Sequence, residues 1–545
     1  MNIKGVFGAS VLACLAMSGS VVAQTVGEPV PVQSPRFAIE RFEILGNSLL
    51  VRDDVERVLG PYAGAERSFA DVQRAVEALE GMYRRHGYNT VYVAVPEQEL
   101  EKGVVRLRVV EGRIAKVLVE GNTVFGDENV RASLPQLKEG EAPVATRLSE
   151  NIQLANENPA KQVEVLLGVG ENEGEVNARI KVKDEKPWRV AGTLDNTGTE
   201  ATGQHRLGVS VQHNNLFDTD QSASFSYTTA PNKPAGVDVD IYSIGYRLPL
   251  YRLGDSIELL YANSTVGVPS SSPSLAGGLG IVGKGNIFSA RYNWLLPRQG
   301  EYSSRVIAAV DERAMESACT TAGGNKLTGV AGCEDYRVRP LSLTYAGRLE
   351  QTERAVSFSV GAARNIGASS ERSYTLASGN RQASTNFSVW RLGASLLQVL
   401  PADFQLRLAG QGQFAAGPLL PTEQIGLAGS QAVRGFVERA VASDQGYFVQ
   451  SELYTPELAG LTSLPGSLRG LAFFDLANGR SFDLAGGQRA TAAISSAGLG
   501  LRYTYDKNVS WRFDLARIVD SHTATAGGSL IDSGWRGHFS LLVGY

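Results

Sequence analysis

The chain of 545 residues has no long apolar run after residue 24, where none approaches the ~20 residues that a membrane-spanning helix needs. It also lacks an excess of basic residues, because 52 Lys and Arg stand against 56 Asp and Glu. A net charge of −4 argues against nucleic acid as the main partner. Hydropathy alone classifies the chain as water-soluble, but membrane β-barrels escape this test because their strands alternate apolar and polar residues.

Motifs for catalysis and for cofactors are scarce as well. The five histidines form no metal-binding cluster, and no Gly-x-Ser-x-Gly elbow is present. Residues 278–284 satisfy the pattern GxGxxG and nearly that of a P-loop. However, Gly285 stands in place of Ser or Thr, and a Ser/Pro-rich loop precedes the pattern instead of a buried strand. We therefore expect no enzymatic activity, no cofactor, no metal and no bound nucleotide.

Cysteine is rare, with three residues in the chain. Cys14 lies in an apolar N-terminal segment, whereas Cys319 and Cys333 flank a Gly/Thr-rich stretch. In an exported protein such a pair is expected to form a disulfide that closes a loop. For a loop of ~15 residues the gain in chain entropy is about 3 kcal/mol. Metal binding is the weaker interpretation, because two cysteines without nearby histidines make an incomplete site.

Residues 1–23 have the form of a secretory signal peptide. Lys4 supplies the positive charge, residues 6–17 form the apolar core, and residues 21–23 offer a small-residue cleavage site. The apolar core is too short for a membrane anchor. The sequence therefore predicts export, followed by a short Pro-rich linker at residues 24–36.

Residues 37–186 contain an internal repeat. Residues 41–48 align with residues 116–123, and each is an apolar strand that ends in a Gly-Asn turn. Two helices and two strands follow each time, so each unit is predicted as β-α-α-β-β over roughly 75 residues. The predicted helices are 51–59, 69–85, 126–134 and 147–156, and the closing strands are 91–95, 104–110, 163–167 and 176–182. The two domains are expected at 37–112 and 113–186.

This element order, with a Gly-Asn turn after the first strand, resembles the POTRA (polypeptide-transport-associated) domain. A small three-stranded sheet with two helices leaves an edge strand open, and such an edge accepts an extended chain by strand addition. The alternative is that the two domains are only spacers. The candidate substrate-binding positions on edge strands are Val91, Val93, Val95, Val163, Val165 and Leu167.

Residues 187–545 have an all-β pattern in which apolar and polar residues alternate. Residues 509–515 show it clearly, and residues 539–545 end the chain in the same way. Apolar side chains would face lipid and polar ones a wet lumen. A water-soluble β-sandwich gives the same pattern. The export signal, the aromatic C-terminus and the arginines on the polar face favour a transmembrane barrel.

The length of this part predicts the number of strands. Strands of ~9–11 residues with their turns and loops take about 22 residues each, which gives roughly 16 antiparallel strands. They must close into a barrel, because every backbone group in lipid needs a partner. A lumen of that width needs a plug or serves as a passage.

Three stretches, in chain order, carry a resemblance to a known family. The first is Leu194-Asp195-Asn196-Thr197-Gly198, followed by Asn214-Asn215-Leu216-Phe217 and Asp220. The second is Val433-Arg434-Gly435-Phe436, and the third is Phe473-Phe474-Asp475. Behind two POTRA-like units, this set resembles the two-partner secretion transporters, the family that includes the filamentous-haemagglutinin and haemolysin exporters. The resemblance covers essentially the whole mature chain.

The resemblance implies that a loop around 421–445 folds back into the lumen and that Arg434 pairs with Asp475 inside the barrel. Phe473 and Asp475 are two residues apart and therefore share a strand face. The planar guanidinium of Arg434 suits a bidentate pair with a carboxylate. If either motif stood alone, a solvated Arg434 and an Asp475 in a turn would be the preferred interpretation.

Many members of that family carry an N-terminal plug helix. Here residues 24–36 are short and contain three prolines, Pro29, Pro31 and Pro35, so we expect no such helix. The folded-in loop is then the main expected obstruction of the lumen.

The function that the resemblance implies is protein transport across the outer membrane of a two-membrane bacterium. POTRA domains in the periplasm would recognise a large unfolded exoprotein through its N-terminal targeting domain. The exoprotein would leave through the lipid-embedded barrel, which also acts as a pore. Three rival functions are an assembly insertase of the same superfamily, which usually has more POTRA domains, a passive porin, which has none, and a barrel enzyme, for which a catalytic set is missing.

Overall fold

The computed structural model describes residues 35–99, 101–266, 270–271, 280–281, 284–317, 319, 328–462, 465–484, 491–521, 525–526, 529–530 and 534–545. The predicted export signal at 1–23 with Cys14, most of the linker at 24–36 and most of the glycine-rich stretch at 278–284 lie outside the described residues. Within the described ranges, no helix is both long and apolar enough to span a membrane.

The N-terminal α+β unit contains a three-stranded mixed sheet and two helices. Its elements are β1 (Phe37–Ile39), β2 (Arg41–Leu45), α1 (Arg52–Leu59), β3 (Gly64–Arg67), α2 (Phe69–Arg85), β4 (Val91–Ala94) and β5 (Val104–Glu111). The sheet order is β2-β5-β4 with β2 parallel to β5, so β2 and β4 are its edges. Helix α2 follows Ser68, whose backbone N–H donates to Asp71 Oδ2 at 2.8 Å, an arrangement typical of a helix start. Strands β1 and β3 form a separate pair that the sequence pattern does not predict.

The second α+β unit has the same element order. It consists of β6 (Arg113–Glu120), α3 (Asp127–Ser133), α4 (Ala145–Ala155), β7 (Lys161–Val169) and β8 (Glu175–Asp184). The sheet order is β6-β8-β7, with β6 parallel and β7 antiparallel to β8, so β7 is an edge strand. Its core contains buried apolar side chains from every element, among them Ile114, Val130, Leu148, Val163 and Ile180. Apart from the β1–β3 pair, the predicted β-α-α-β-β order of both units is confirmed.

The remaining chain forms a closed barrel of sixteen antiparallel strands, which confirms the predicted number. The strands are β9 (Trp188–Asp195), β10 (Arg206–Leu216), β11 (Gln221–Thr229), β12 (Asp240–Leu250), β13 (Asp255–Ser264), β14 (Lys284–Gln299), β15 (Tyr302–Glu316), β16 (Tyr336–Val338 and Pro340–Glu350), β17 (Arg354–Asn365), β18 (Ser388–Val399), β19 (Gln405–Ala415), β20 (Gln445–Tyr454), β21 (Ser467–Arg480), β22 (Thr491–Tyr505), β23 (Val509–Asp520) and β24 (Trp535–Gly544). Large apolar side chains such as Trp390, Phe414 and Leu499 are exposed on the outer face, as a lipid-facing surface requires.

The two ends of the barrel differ in their connections. At one end the strands are joined mostly by short turns, such as residues 217–220 and 251–254, whereas the other end has long segments such as residues 416–444. The second α+β unit packs against the short-turn end, which we call the domain end. There Asn129 Nδ2 donates to the carbonyl of Asp218 at 2.9 Å, and Asn151 Nδ2 donates to that of Tyr251 at 2.6 Å.

The seam between the last and the first barrel strands is short. Five residue pairs join β24 to β9. Beyond them, the side chain of Asn196 takes the place of a backbone partner. Its Nδ2 donates to the carbonyl of Gly537 at 2.8 Å, and its Oδ1 accepts from the N–H of Phe539 at 2.9 Å. Asn196 therefore extends the ladder that closes the barrel.

The opposite end, which we call the loop end, carries additional structure. Helix α5 (Glu371–Ala377) lies between β17 and β18, and its Tyr374 is fully buried. Cys319 and Cys333 are joined by a disulfide with Cα atoms 5.4 Å apart. The N–H of Gly332 beside it donates to the carbonyl of Leu376 at 2.7 Å, so the disulfide-closed loop contacts α5.

Candidate functional site

The segment between β19 and β20, which we call the lumen loop (residues 416–444), folds back on itself inside the barrel. Ile425–Gly426 pairs with Ala442–Ser443, which makes the loop a hairpin. At its tip, the N–H of Gly429 donates to the carbonyl of Val433 at 3.0 Å. Gly429 and Gly435 have φ values of +124° and +94°, a region in which a side chain is strained, so glycine on both sides lets the tip bend around Arg434.

Apolar side chains hold the tip against the barrel wall. Val433 and Phe436 of the predicted loop motif are buried, together with Leu427. They pack in one cluster with Phe448 of β20 and Ile518 of β23. Hydrophobic packing therefore holds the tip in addition to its polar contacts.

Arg434 makes the bidentate contact with Asp475 that the motifs suggested. Its Nε lies 2.7 Å from Asp475 Oδ2 and its Nη2 lies 2.8 Å from Oδ1, while its backbone N–H donates to Oδ2 at 3.1 Å. Arg434 is 1% exposed and Asp475 0%. Two charges buried in such contact hold each other in one geometry, and removal of either leaves the other without its main partner.

Phe473 lies beneath this pair. The guanidinium carbon of Arg434 is 3.6 Å from the centre of the Phe473 ring, a cation–π contact. Phe474, the other aromatic residue of the motif, is 44% exposed on the outer face. The alternation along β21 thus separates the two rings, and Phe473 shares the lumen face with Asp475.

Further charges surround the pair, and no sequence motif marks them. Arg434 Nη1 lies 2.7 Å from Glu452 Oε1 and 3.5 Å from Asp514 Oδ1. Glu452 also pairs with Arg407 at 2.9 Å, and Asp514 pairs with Arg502 at 2.8 Å. We call this set the latch cluster: Arg407, Arg434, Arg502, Glu452, Asp475 and Asp514. Its three arginines balance its three carboxylates, so the cluster is neutral when the lumen loop is in place.

A histidine also contacts the tip. His538 of β24 accepts through Nε2 from the N–H of Gly435 at 2.9 Å, and Gln450 Nε2 of β20 donates to the carbonyl of Ala432 at 2.8 Å. No sequence motif marks His538, because it lies 103 residues from its partner. These bonds satisfy backbone groups of a loop that is surrounded by protein.

Two other ion-pair sites hold the base of the lumen loop. Glu423, which is buried, accepts from Arg313 at 2.6 Å and from Arg391 at 3.2 Å. Asp444 accepts from Arg381 Nη1 at 2.7 Å, and this arginine follows α5. The loop is therefore fixed at its tip and near both of its ends.

The first-strand motif lies elsewhere. Asp195 Oδ1 accepts from the N–H of Thr197 at 2.9 Å, and Asn196 closes the seam described above. Gly198 comes so close to the carbonyl of Gly203 that a side chain at this position has no room. Among the described residues, no hydrogen bond or ion pair joins this motif to the latch cluster.

Asp220, at the end of the same stretch, is the centre of a buried polar site at the domain end. Lys161 Nζ lies 2.5 Å from Asp220 Oδ2, and the Tyr251 hydroxyl donates to the same oxygen at 2.6 Å. Asn129 and Asn158 donate to Oδ1 at 3.3 and 3.2 Å. Burial lowers the pKa of Lys161, and the Asp220 carboxylate opposes that shift. This site attaches the second α+β unit to the barrel.

The candidate edge residues lie on or beside edge strands. Val91 and Val93 belong to β4, and Val95 follows its end; Val163, Val165 and Leu167 belong to β7. Val91, Val93 and Val163 are buried, so their side chains face the core of their own unit. An added strand would contact the backbone groups of the edge strand and exposed side chains such as Leu166. Among the described residues, no group of His, Cys, Asp and Glu could hold a metal ion.

Comparison with known proteins gives a consistent result. Residues 174–503 match the profile of the family described as haemolysin secretion/activation protein ShlB/FhaC/HecB, and residues 37–112 match the ShlB-type POTRA domain. The chain is 23% identical over 535 residues to the heme/hemopexin transporter protein HuxB of Haemophilus influenzae, covering 93% of this chain and 89% of that protein. It is 21% identical to the outer membrane transporter CdiB of Dickeya dadantii, covering 77% and 73%. The solved structure of CdiB from Escherichia coli superposes with a TM-score of 0.73 at 18% identity, covering 96% of this chain and 93% of that one, which shows a shared fold.

POTRA domains in front of a closed sixteen-stranded barrel define an outer-membrane transporter of the POTRA-barrel class. Because the family profile matches more than half of the chain, this chain belongs to the haemolysin secretion/activation family of two-partner secretion transporters. The predicted family, outer-membrane location and transport function are thereby confirmed. The POTRA domains are periplasmic, so the domain end of the barrel is its periplasmic end.

Proposed function

We propose that this chain accepts an unfolded exoprotein on the open edges of its POTRA domains and passes it outward once Arg434 leaves Asp475. The observation that carries the proposal is the buried latch cluster, which holds a loop inside a closed barrel by contacts that can exist in only one loop position. Transport then needs no catalytic group and no nucleotide. We also propose the domain limits 37–112, 113–186 and 187–545.

The first step is recognition at β4 or β7. Each strand pairs with a single neighbouring strand, within sheets ordered β2-β5-β4 and β6-β8-β7. The N–H of Val93 donates to Glu80, and the side chain of Asn156 bonds both backbone groups of Val163, so an added segment would pair with the other backbone groups of these edges. An extended segment of the exoprotein can add to either edge by backbone hydrogen bonds, which depend little on its sequence. This suits an N-terminal targeting domain that must bind before the rest of the exoprotein folds.

The second step is displacement of the lumen loop. When Arg434 leaves, the latch cluster keeps three carboxylates but only two arginines, so one carboxylate loses its partner. That imbalance favours return of the loop after passage. Folding of the exoprotein outside makes its own return unfavourable, which supplies direction without ATP.

The outer surface supports the proposed contact with lipid. Exposed side chains of Trp390, Phe414 and Leu499 lie at outward positions of three different strands. Apolar residues at such positions match a barrel embedded in a bilayer.

The test is export of the large partner exoprotein in a heterologous two-membrane host. The medium is assayed with the intact chain, without it, with Arg434→Ala and with the control Arg354→Ala, an exposed arginine on the outer face of β17. We expect export with the intact chain and with the control, and loss or strong reduction with Arg434→Ala. Export that persists without this chain, together with failed barrel assembly in its native cell, would instead support the insertase function.

A further inference from the structure

The lumen wall near the periplasmic end is rich in arginine. Outside the neutral latch cluster, several arginines occupy lumen-facing positions there, and we call five of them the mouth arginines: Arg247, Arg291, Arg305, Arg348 and Arg512. The carboxylates at lumen-facing positions of the same region, among the described strands, are Glu258 and Glu350. Positive charge is therefore in excess on this part of the wall.

Register and contacts show which way these side chains point. Arg512 is two residues from Asp514 of the latch cluster and so shares its face. Glu258 of β13 is the register partner of Arg247 on one neighbouring strand, β12, and of Arg291 on the other, β14. Arg305 and Arg348 line one cavity of about 510 Å³ inside the barrel.

The second POTRA domain already places a carboxylate on this surface. Glu157 follows the end of α4, and its Oε1 accepts from Arg305 Nη2 at 2.6 Å while Oε2 pairs with Arg247. An acidic residue just past a helix C-terminus is disfavoured by the helix dipole. The two arginines, and not the helix, therefore stabilise Glu157 in this position.

Part of the remaining surface is open to a further ligand, whereas Arg348 pairs with Glu350. Arg291 and Arg512 have no carboxylate within ion-pair distance among the described residues. Between the charged positions, the cavity is lined by small uncharged residues such as Ser303, Ser357 and Gly393. Small side chains leave room for a polypeptide backbone, and guanidinium groups bind carboxylates with charge-assisted hydrogen bonds.

From these contacts we infer that the mouth arginines bind acidic segments of an unfolded polypeptide as it enters the barrel. In the resting protein, Glu157 occupies two of them in place of a substrate carboxylate. The inference rests on the proposed transport function and names the chemistry of the segment that the lumen receives. A cationic wall also raises the local concentration of such segments at the mouth.

The test measures binding of a peptide to the purified full-length protein in detergent. The probe is a fluorescent, unstructured peptide of Gly, Ser and Glu of about 20 residues, longer than the ~30 Å thickness of a bilayer when extended. A matched peptide carries Gln in place of Glu. We expect the Glu peptide to bind at least about fivefold more tightly, and this difference to vanish in about 1 M salt, where the Debye length is ~3 Å.

Variants locate the site. Arg247→Gln combined with Arg305→Gln should weaken binding of the Glu peptide about fivefold, whereas the control Arg354→Gln should not change it. Glu157→Gln should act in the opposite direction and strengthen binding, because it removes the resident carboxylate. If the double variant does not fold, as judged by heat-modifiable mobility on gels, Arg512→Gln serves instead, because it removes no ion pair.

Equal binding of the Glu and Gln peptides, or equal weakening by Arg354→Gln, would overturn the inference. Either result leaves the transport proposal intact if the exoprotein is still exported. Conversely, export that does not depend on this chain refutes the transport proposal whatever the peptides do.

Discussion

Arg434 is a fully charged side chain with 1% of its surface exposed, held by two oxygens of one carboxylate, by Glu452 and by the face of Phe473. Each contact compensates for water that the guanidinium has lost. Lysine has the same charge but one nitrogen, so it cannot reproduce the bidentate contact with Asp475. The geometry therefore requires arginine and not only a cation.

Arg434→Ala should lower the free energy of unfolding by about 3 kcal/mol, because Asp475 is left buried without its main partner. The measurement is urea-induced loss of the compact gel mobility of the folded barrel. Asp475→Asn should have a similar cost. The double variant Arg434→Met with Asp475→Leu should lower the free energy of unfolding by clearly less than the sum of the effects of Arg434→Met alone and Asp475→Leu alone. The reason is that the double variant leaves no buried charge unpaired. Costs that simply add would show that the two residues do not act as a pair.

At the domain end, Lys161 forms a buried ion pair with Asp220, as Arg434 does with Asp475 in the lumen. Both it and Asp220 are almost completely buried. Lys161→Met keeps the approximate shape and removes the cation, so we expect the second POTRA domain to become about tenfold more sensitive to limited proteolysis, which corresponds to about 1.4 kcal/mol. The control is Lys116→Met, which removes an exposed cation of the same domain. Equal sensitivity of the two variants would show that the buried pair does not attach the domain.

Among the elements, the edge strand β7 carries a prediction about recognition. Leu166 of β7 is 40% exposed, and a charge on an open edge opposes strand addition. Leu166→Lys should weaken binding of the exoprotein's targeting domain about tenfold. The control Leu118→Lys places the same charge on β6, the other edge of that sheet, where Leu118 is 47% exposed. Stronger weakening by the control than by Leu166→Lys, measured by titration with the purified targeting domain, would move the site to β6.

The turn between β20 and β21, which contains the short helix α6 (Ala459–Thr462), depends on one carboxylate. Glu457 accepts from the hydroxyl of Ser467 and from the N–H groups of Ala459 and Leu468, and these bonds lower its pKa to about 2, with the Ser467 bond as the main cause. A depressed carboxyl pKa contributes stability that is present above the ordinary value of 4.5 and is lost as the pH falls toward about 2.

Hydrogen exchange at the Ala459 and Leu468 amides tests this dependence. Their protection, corrected for the intrinsic pH dependence of exchange, should stay constant down to pH 4.5 and decrease as the pH approaches about 2. In Glu457→Gln the profile should be flat, because glutamine does not titrate. A decrease that Glu457→Gln retains would assign the effect to another group.

For the whole molecule, we propose that the lumen loop is the main obstruction that separates a closed barrel from an open pore. Replacement of residues 421–441 by a short Gly/Ser turn should raise single-channel conductance in planar bilayers several-fold, because a sixteen-stranded barrel without its inner loop encloses an aqueous channel. The same variant should no longer export the exoprotein in a directed way. Unchanged conductance would show that another part of the chain fills the lumen.

Local pattern predicted much of this architecture. Helix α2 covers the same residues as its predicted helix at 69–85, and the number of barrel strands agrees, because helical and strand periodicities are properties of neighbouring residues. The sequence pattern did not predict the pair β1–β3, helix α5 or the split of β16 at Arg339. These elements are short, and their positions depend on what packs against them.

The sequence by itself determined the repeat, the alternation that closes into a barrel, and the two motifs that meet as Arg434 and Asp475. It could do so because each depends on residues that are near in the chain or on a recognisable motif. Only the folded chain brought His538 to Gly435, across 103 residues, placed Glu157 between two arginines of the lumen, and made Asp220 the centre of a buried site. Those contacts join side chains that no local period relates, so they exist only once the strands have closed and the second POTRA domain has docked.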